Sequence, residues 1–238
     1  MSTKLKSYTI LKNKHVGEDA FIFGSGTSLT LFENHPKKDL IHKHVVVSVN
    51  SSILVMPWKR GSEERRYWIS NDALCRKWTY WKLVLESKAT KIIRNSWKKY
   101  YDEIPDFLYF WPRPTKEDTI NPNDDGLAYC SSIPTSIDLC IQMGCKRIFL
   151  LGVDQYRSKN KSHFWELWPQ NKRPSNSFGG AISPWASQLS VFKFNKMSYG
   201  ALAAFSYDKG IDIFNCNPKS RVNCFVKISL DEMFATIS

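Results

Sequence analysis

The chain has 238 residues, 42% of them hydrophobic and 24% charged, which suits one globular domain spanning residues 1–238 with a substantial core. No stretch approaches the roughly 18 apolar residues of a membrane span, and the Lys-rich residues 1–14 lack the apolar core of a signal peptide, so a cytoplasmic protein is expected. Thirty-four basic against 22 acidic residues leave a net charge of +12; this favours a nucleotide or other phosphate ligand, or peripheral contact with an anionic membrane at its inner face. The basic residues are scattered rather than blocked, so they give no firm sign of nucleic acid and also suit plain solvated lysines.

In chain order, the first readable unit is an apolar run at Asp19–Phe23. It ends abruptly in Gly24-Ser25-Gly26, and a helix-like stretch begins at Thr27-Ser28: strand, tight turn, helix start. The β-branched run Val45–Val49 ends at Asn50-Ser51-Ser52, and a third short run, residues 67–70, ends at Asn71-Asp72. Phe107–Phe110 is a fourth, stopped by Pro112 and Pro114. Residues 131–144 form an apolar helix with Pro134 in its first turn and Gly144 at its end. Residues 147–154 read as a continuous strand of the parallel type, tipped by Asp154, Gln155 and Tyr156. Residues 157–187, polar, aromatic and rich in Pro, Gly and Ser, read as a lid. Residues 188–208 read as a helix and residues 211–214 as a last core strand ending at residues 215–218. Ser229 with Glu232 makes a capping box for a C-terminal helix.

This alternation predicts an α/β, doubly wound, mainly parallel sheet of Rossmann-like type with a lid segment. In such sheets ligands sit outside the carboxyl ends of the strands. The polar strand tips converge there. Gly24, Ser25, Gly26 and Thr27 offer close backbone approach to a phosphate and free N–H donors at a helix start, or simply a tight turn. Asn50 with Ser51, and Asn71, have groups able to read a base edge or hold ribose, or serve the turns. Ser131 and Ser132 cap the next helix or bind an anion at its start. Asp154 would hold its loop by hydrogen bonds, orient a sugar, or act as base; Tyr156 would donate to a leaving phosphate or pack the loop. His163 stands alone near the cleft with a side chain suited to acid–base work, whereas His42 and His44 read as surface residues. The second tryptophan-rich stretch, Trp165 to Trp185, would supply a wall for a sugar, a base or a lipid interface.

The six cysteines form no C-x-x-C pair and read as buried thiols. With no metal-binding spacing and no D-x-D at a strand end, no metal site is expected. The motif at Gly24 is neither a full G-x-G-x-x-G, since Leu29 takes the third glycine's place, nor a P-loop.

Four segments carry a resemblance to a known group: Phe23-Gly-Ser-Gly-Thr-Ser-Leu29, Val47-Ser-Val-Asn50, Trp68-Ile-Ser-Asn71, and the run from Ser131 through Tyr156. The chain resembles the superfamily that joins bacterial sialyltransferase-like and motility-associated factor glycosyltransferase-like proteins with hydroxymethylpterin-diphosphokinase-like proteins. In its sialyltransferase-like members the Gly-rich turn, the strand-end asparagines and a serine at the helix start hold a cytidine nucleotide sugar, and tyrosines assist the leaving phosphate. The resemblance assigns these roles to Gly24, Ser25, Gly26, Asn50, Asn71, Ser132 and Tyr156. It implies an inverting, metal-independent transfer to a glycan or other small acceptor, with the nucleotide sugar as substrate and no cofactor. The chain departs from that pattern where those enzymes place a lid histidine: residues 164–238 contain none, and Ser162-His163 stands where a second tyrosine belongs. Either His163 substitutes, or Asp154 serves, or the chemistry differs. An ATP-dependent diphosphokinase using magnesium, and a non-catalytic nucleotide- or polyanion-binding protein, are the alternatives.

Overall fold

The computed structural model describes residues 6–100, 107–113, 126–128, 131–156, 160–175 and 188–237, with backbone alone at 98–99 and 188–197. The elements are β1 (Asp19–Phe23), α1 (Leu29–Glu33), β2 (Val45–Val49), β3 (Arg66–Ser70), α2 (Trp81–Glu86), β4 (Thr90–Arg94), β5 (Phe107–Phe110), β6 (Pro112–Arg113), β7 (Leu127–Ala128), α3 (Ser132–Gln142), β8 (Arg147–Leu151), α4 (Gln188–Asp208), β9 (Asp212–Asn215), β10 (Val226–Lys227) and α5 (Leu230–Ile237). Short 3-10 turns fill many of the connections.

Eight strands form one parallel sheet in the order β10-β9-β8-β1-β2-β3-β4-β5. The chain therefore builds outward from β1 to β5, crosses back through α3, and builds the other way from β8. The order reverses between β1 and β8, where Phe23 aligns with Leu151, and the crevice of a doubly wound sheet lies above such a reversal. Every residue of β1, β2 and β3 is buried, because both faces of the sheet are covered. Side chains alternate between the two faces. Ala20, Ile22, Val45, Val47 and Ile69 pack with Ile137, Cys140 and Ile141 of α3 and Leu202 of α4. Phe21, Phe23, Val46 and Trp68 pack with Leu29 and Phe32 of α1, Val84 of α2, and Met233 and Phe234 of α5.

The sheet is the expected α/β architecture, with corrections at the edges of the sequence reading. β8 stops at Leu151 rather than running to Asp154, because Gly152 turns the chain at φ +68, where a Cβ would stand 2.9 Å from Leu29 Cβ. The strands β4, β6, β7 and β10 were not expected. His42 and His44 are not surface residues: their side chains are 20% and 14% exposed, and His44 packs on Phe21. Of the cysteines, Cys75, Cys140, Cys145 and Cys216 are buried free thiols, whereas Cys224 is exposed; Cys130 lies outside the described residues. Among the described residues no helix is long and apolar enough to cross a membrane.

Candidate functional site at the carboxyl end of the sheet

Because the sheet is parallel, the loops after β1, β2, β3, β8 and β9 emerge on one edge. Asp154 organises them. Its buried carboxylate accepts from Ser28 N at 2.9 Å, Thr27 Oγ1 at 3.2 Å and Asn217 Nδ2 at 2.8 Å, and also from the Ser28 hydroxyl. One side chain thus ties the Gly-rich turn after β1 to the loops after β8 and β9. Of the roles the sequence left open for Asp154, holding the loops together is the one its contacts display.

The glycines serve the same junction. A Cβ on Gly26 would stand 2.6 Å from the Asp154 carboxyl carbon, and one on Gly24 would stand 2.4 Å from the Gly152 carbonyl oxygen. Gly24 N donates to Leu151 O at 2.7 Å and Gly26 N to Gly152 O at 2.8 Å. The space these glycines leave is filled by the β8 loop, so their first duty is loop-to-loop packing rather than approach to a ligand.

The turn after β2 is set by the buried Ser52, which accepts from Val49 N at 2.7 Å and lies 2.6 Å from Phe23 O. This places Asn50 in the left-handed region at φ +51, where Asn is among the few tolerant side chains. After β3, Asn71 is pinned to α3: its backbone N–H donates to Ser132 Oγ, and its Nδ2 to Thr135 Oγ1, each at 2.8 Å. Thr135 spends its own proton on the Ala128 carbonyl at 2.8 Å. Its oxygen must then accept from Asn71, which fixes the amide nitrogen towards α3 and the amide oxygen away from it. The amide oxygens of Asn50 and Asn71 are both buried and have no hydrogen-bond partner among the described residues. Such an acceptor costs about 1–3 kcal/mol, and a ligand donor would recover it. Ser132 Oγ is the acceptor for the Asn71 N–H, while the Ser131 side chain makes no capping hydrogen bond.

Residues 160–175 of the expected lid are folded onto this edge; 157–159 and 176–187 lie outside the described residues. Phe164 is fully buried, its N–H donating to Ser25 O at 3.0 Å, and Trp165 donates its indole N–H to Ser51 Oγ at 3.2 Å. This seats the preceding His163 beside the Gly-rich turn. The imidazole stacks on Trp165 with centroids 5.2 Å apart, and its Nδ1 lies 3.0 Å from Ser162 Oγ. Desolvation pulls the Glu166 carboxyl upward, but the N–H groups of His163 and Ser162 outweigh it and hold the group below its usual range. Tyr156, half-buried on the β8 loop, accepts from Asn217 Nδ2 at 3.4 Å.

The structure therefore gathers Gly24, Ser25, Gly26, Thr27, Asn50, Ser51, Asn71, Ser131, Ser132, Asp154, Tyr156 and His163 at one edge of the sheet. The sequence reading missed Asn217 as a site residue, and it cast Trp165 as part of a ligand wall rather than as the donor to Ser51. Asn217 was within reach of the strand-tip rule, since it follows β9 as Asn50 follows β2. Among the described residues no group of three or more His, Cys, Asp or Glu could hold a metal ion. Two amide acceptors, a tyrosine hydroxyl, small hydroxyls and an imidazole can bind a polar ligand and move a proton.

No protein-family model matches the chain, and no curated protein sequence matches it. Solved structures do. The MAf glycosyltransferase from Magnetospirillum magneticum AMB-1 aligns with a TM-score of 0.52 at 15% identity, over 97% of this chain but 40% of that one. The sialyltransferase CstII from Campylobacter jejuni, solved with a substrate analogue and cytidine-5'-monophosphate, aligns with a TM-score of 0.50 at 16% identity, over 90% of this chain and 86% of that one. At these identities the likeness is one of fold, and the chain shares the fold of these two glycosyl-transferring proteins.

Proposed function

We propose that this chain transfers a sugar from a nucleotide-activated donor, of the cytidine monophosphate kind, to a glycan or other small hydroxyl acceptor. The observation that carries this reading is the pair of buried amide oxygens, unpartnered among the described residues, on Asn50 and Asn71 at the tips of β2 and β3, to one side of the point between β8 and β1 where the strand order reverses. The amine of a base or the hydroxyls of a ribose would supply the donors these oxygens lack. The fold neighbours named above support it: one is a sialyltransferase solved with cytidine-5'-monophosphate, the other a glycosyltransferase.

In this reading Gly24, Ser25, Gly26, Thr27, Ser51, Ser131 and Ser132 line the nucleotide site, and Asp154 shapes it rather than reacting. His163 takes the proton from the acceptor hydroxyl as that oxygen bonds to the anomeric carbon. The bond to the nucleotide phosphate breaks with its electrons, and Tyr156 donates a hydrogen bond to the departing phosphate. The transfer inverts the anomeric centre and needs no metal.

The test is a thermal-shift panel of CMP, UDP, GDP and ATP, each with magnesium and with EDTA, because ligand binding raises apparent stability. Stabilisation by CMP that survives EDTA is expected. Stabilisation by ATP alone, and only with magnesium, would replace this reading with a diphosphokinase. Once turnover is established, His163→Ala is expected to lower kcat by about 10²–10⁴; a change under about threefold, against that expectation, would remove His163 from the mechanism.

A further inference from the structure

Three side chains from distant parts of the sequence form a chain of hydrogen bonds at the Gly-rich turn. Trp165 Nε1 lies 3.2 Å from Ser51 Oγ, and Ser51 Oγ lies 3.3 Å from Ser25 Oγ. The direction of this chain is set by chemistry. An indole N–H only donates, so Ser51 must accept from it. Ser51 is 5% exposed, and a buried hydroxyl proton needs an acceptor; among the described residues the acceptor it meets is Ser25 Oγ. Ser25 therefore receives a hydrogen bond, and its own proton is left over. Among the described residues nothing accepts that proton, and the half-buried Ser25 stands on the turn between Gly24 and Gly26. The Ser25 backbone is held as well, because its carbonyl takes the Phe164 N–H at 3.0 Å.

We propose that Trp165 is a positioning residue that works through Ser51 to make Ser25 a fixed hydrogen-bond donor, and that the group Ser25 meets is an oxygen of an anionic phosphate. This deepens the nucleotide reading above and rests on it for the identity of the remainder of the ligand. Successive hydrogen bonds polarise one another in the same sense, so the indole strengthens a donor two residues away without touching the ligand. The asparagine oxygens and the Ser25 proton are then complementary: acceptors for the nucleoside, a donor for its phosphate.

The experiment compares cytidine, CMP and inorganic pyrophosphate by calorimetric titration in the wild-type protein, Trp165→Phe, Ser51→Ala and the double variant. Trp165→Phe keeps an aromatic ring in the core while removing the N–H together with the rest of the five-membered ring, so the cytidine affinity serves as the control for lost packing. Wild type is expected to bind pyrophosphate and to prefer CMP over cytidine by tenfold or more, about 1.4 kcal/mol. Trp165→Phe is expected to shrink that preference by about fivefold, as loss of one net hydrogen bond does, with cytidine affinity unchanged, and Ser51→Ala is expected to shrink it at least as much. The double variant should be no worse than Ser51→Ala, because the indole has no other route to Ser25. Equal weakening of cytidine and CMP in Trp165→Phe would make the indole a packing residue only and overturn the proposal, as would losses that multiply in the double variant or a wild-type protein that ignores pyrophosphate. If pyrophosphate binds, and binds less well to Trp165→Phe, while cytidine and CMP add nothing to that affinity, the relay stands and the nucleotide reading falls.

Discussion

The two ends of the sheet are built differently. At the amino end, charged groups answer one another. Arg147 meets Asp19 through hydrogen bonds of 2.7 and 2.6 Å, Arg65 lies 2.8 Å from Glu18, and His15 lies 3.1 Å from Glu18 and 2.6 Å from the Tyr67 hydroxyl. Arg66 is fully buried and gives its guanidinium to the carbonyls of Pro57, His42 and His44, with burial pulling it down to about 10. The atoms left over there are single ring nitrogens of His42 and His44, on rings whose other nitrogen faces Asp39 at 3.3 Å or Asp19 at 3.8 Å. At the carboxyl end a carboxylate gathers the loops, and whole amide oxygens remain over on Asn50 and Asn71. The first end is held by ion pairs and carbonyl contacts among its own side chains. The second is gathered by one carboxylate, and the proposed nucleotide would supply the donors its two amide oxygens lack.

The strongest way to break this comparison is at the two carboxylates that organise the two ends. Asp154→Ala leaves buried donors on Thr27, Ser28 and Asn217 without their acceptor, and is expected to cost about 3 kcal/mol of stability or more, at roughly 1–3 for each orphaned donor, and all measurable nucleotide binding. Asp19→Ala, at the amino end, is expected to cost about 2 kcal/mol while nucleotide affinity stays within about twofold, less than one net hydrogen bond would move it. Urea unfolding and calorimetric titration of both variants check the pair; nucleotide binding lost in Asp19→Ala would erase the distinction. Gly26→Val belongs with Asp154→Ala, because its side chain would push into that carboxylate and unfold the junction.

A smaller effect sharpens the ligand side. Asn50→Gly keeps the φ of +51 accessible and removes the oxygen that has no partner among the described residues. Nucleotide affinity is expected to fall about tenfold, near the worth of one well-made hydrogen bond, while urea unfolding of the free protein reveals little or no loss of stability. An amide with only a local turn role would leave affinity unchanged.

The smallest expected effect belongs to the amino end. Burial lowers the pKa of His15 and of His44 below the ordinary histidine value. In the unfolded chain both take up protons near about pH 6.5, while the folded protein resists them. The proton uptake favours the unfolded chain, so stability is undiminished above that pH and declines as pH falls from about 6.5 towards the lowered folded values. Melting temperature should drop by a few degrees between pH 7.5 and pH 5.5, as roughly 1 kcal/mol would produce, and His15→Gln should reduce the drop. A melting temperature that rises on acidification would contradict the burial argument.

Much of this was legible in the sequence, for a physical reason. β1, β2, β3 and β8 are apolar runs cut short by Gly or Asn, and buried parallel strands with loops at one edge produce that text. The capping box at the C-terminus was equally plain: Ser229 N donates to Glu232 Oε2 at 2.7 Å, and Glu232 N to Ser229 Oγ at 3.2 Å. β4 was hidden because its sequence, Thr-Lys-Ile-Ile-Arg, carries two charges. Lys91 is tolerated in the strand because its amine reaches back to the Ser87 carbonyl at 2.6 Å. His44 looked exposed beside Lys43, and only the packing of its ring on Phe21 takes it inside. The site residues were found by the strand-tip rule, but their duties were not. That Gly26 makes room for Asp154, or that Trp165 reaches Ser51 across 114 residues, is set by tertiary contacts that leave no local pattern.

The central claim is that the carboxyl end of the sheet is the ligand site and the amino end is not. Amide hydrogen exchange followed with and without saturating CMP tests this most directly, because bound ligand slows the openings of the segments it touches. The account expects slowed exchange at residues 24–28, at Asn50 and Ser51, at Asn71, and across the first turn of α3, with residues 13–19 and 64–67 unchanged. Protection centred on His15, Glu18 and Arg65, or no protection at either end under conditions where CMP binds, would contradict it.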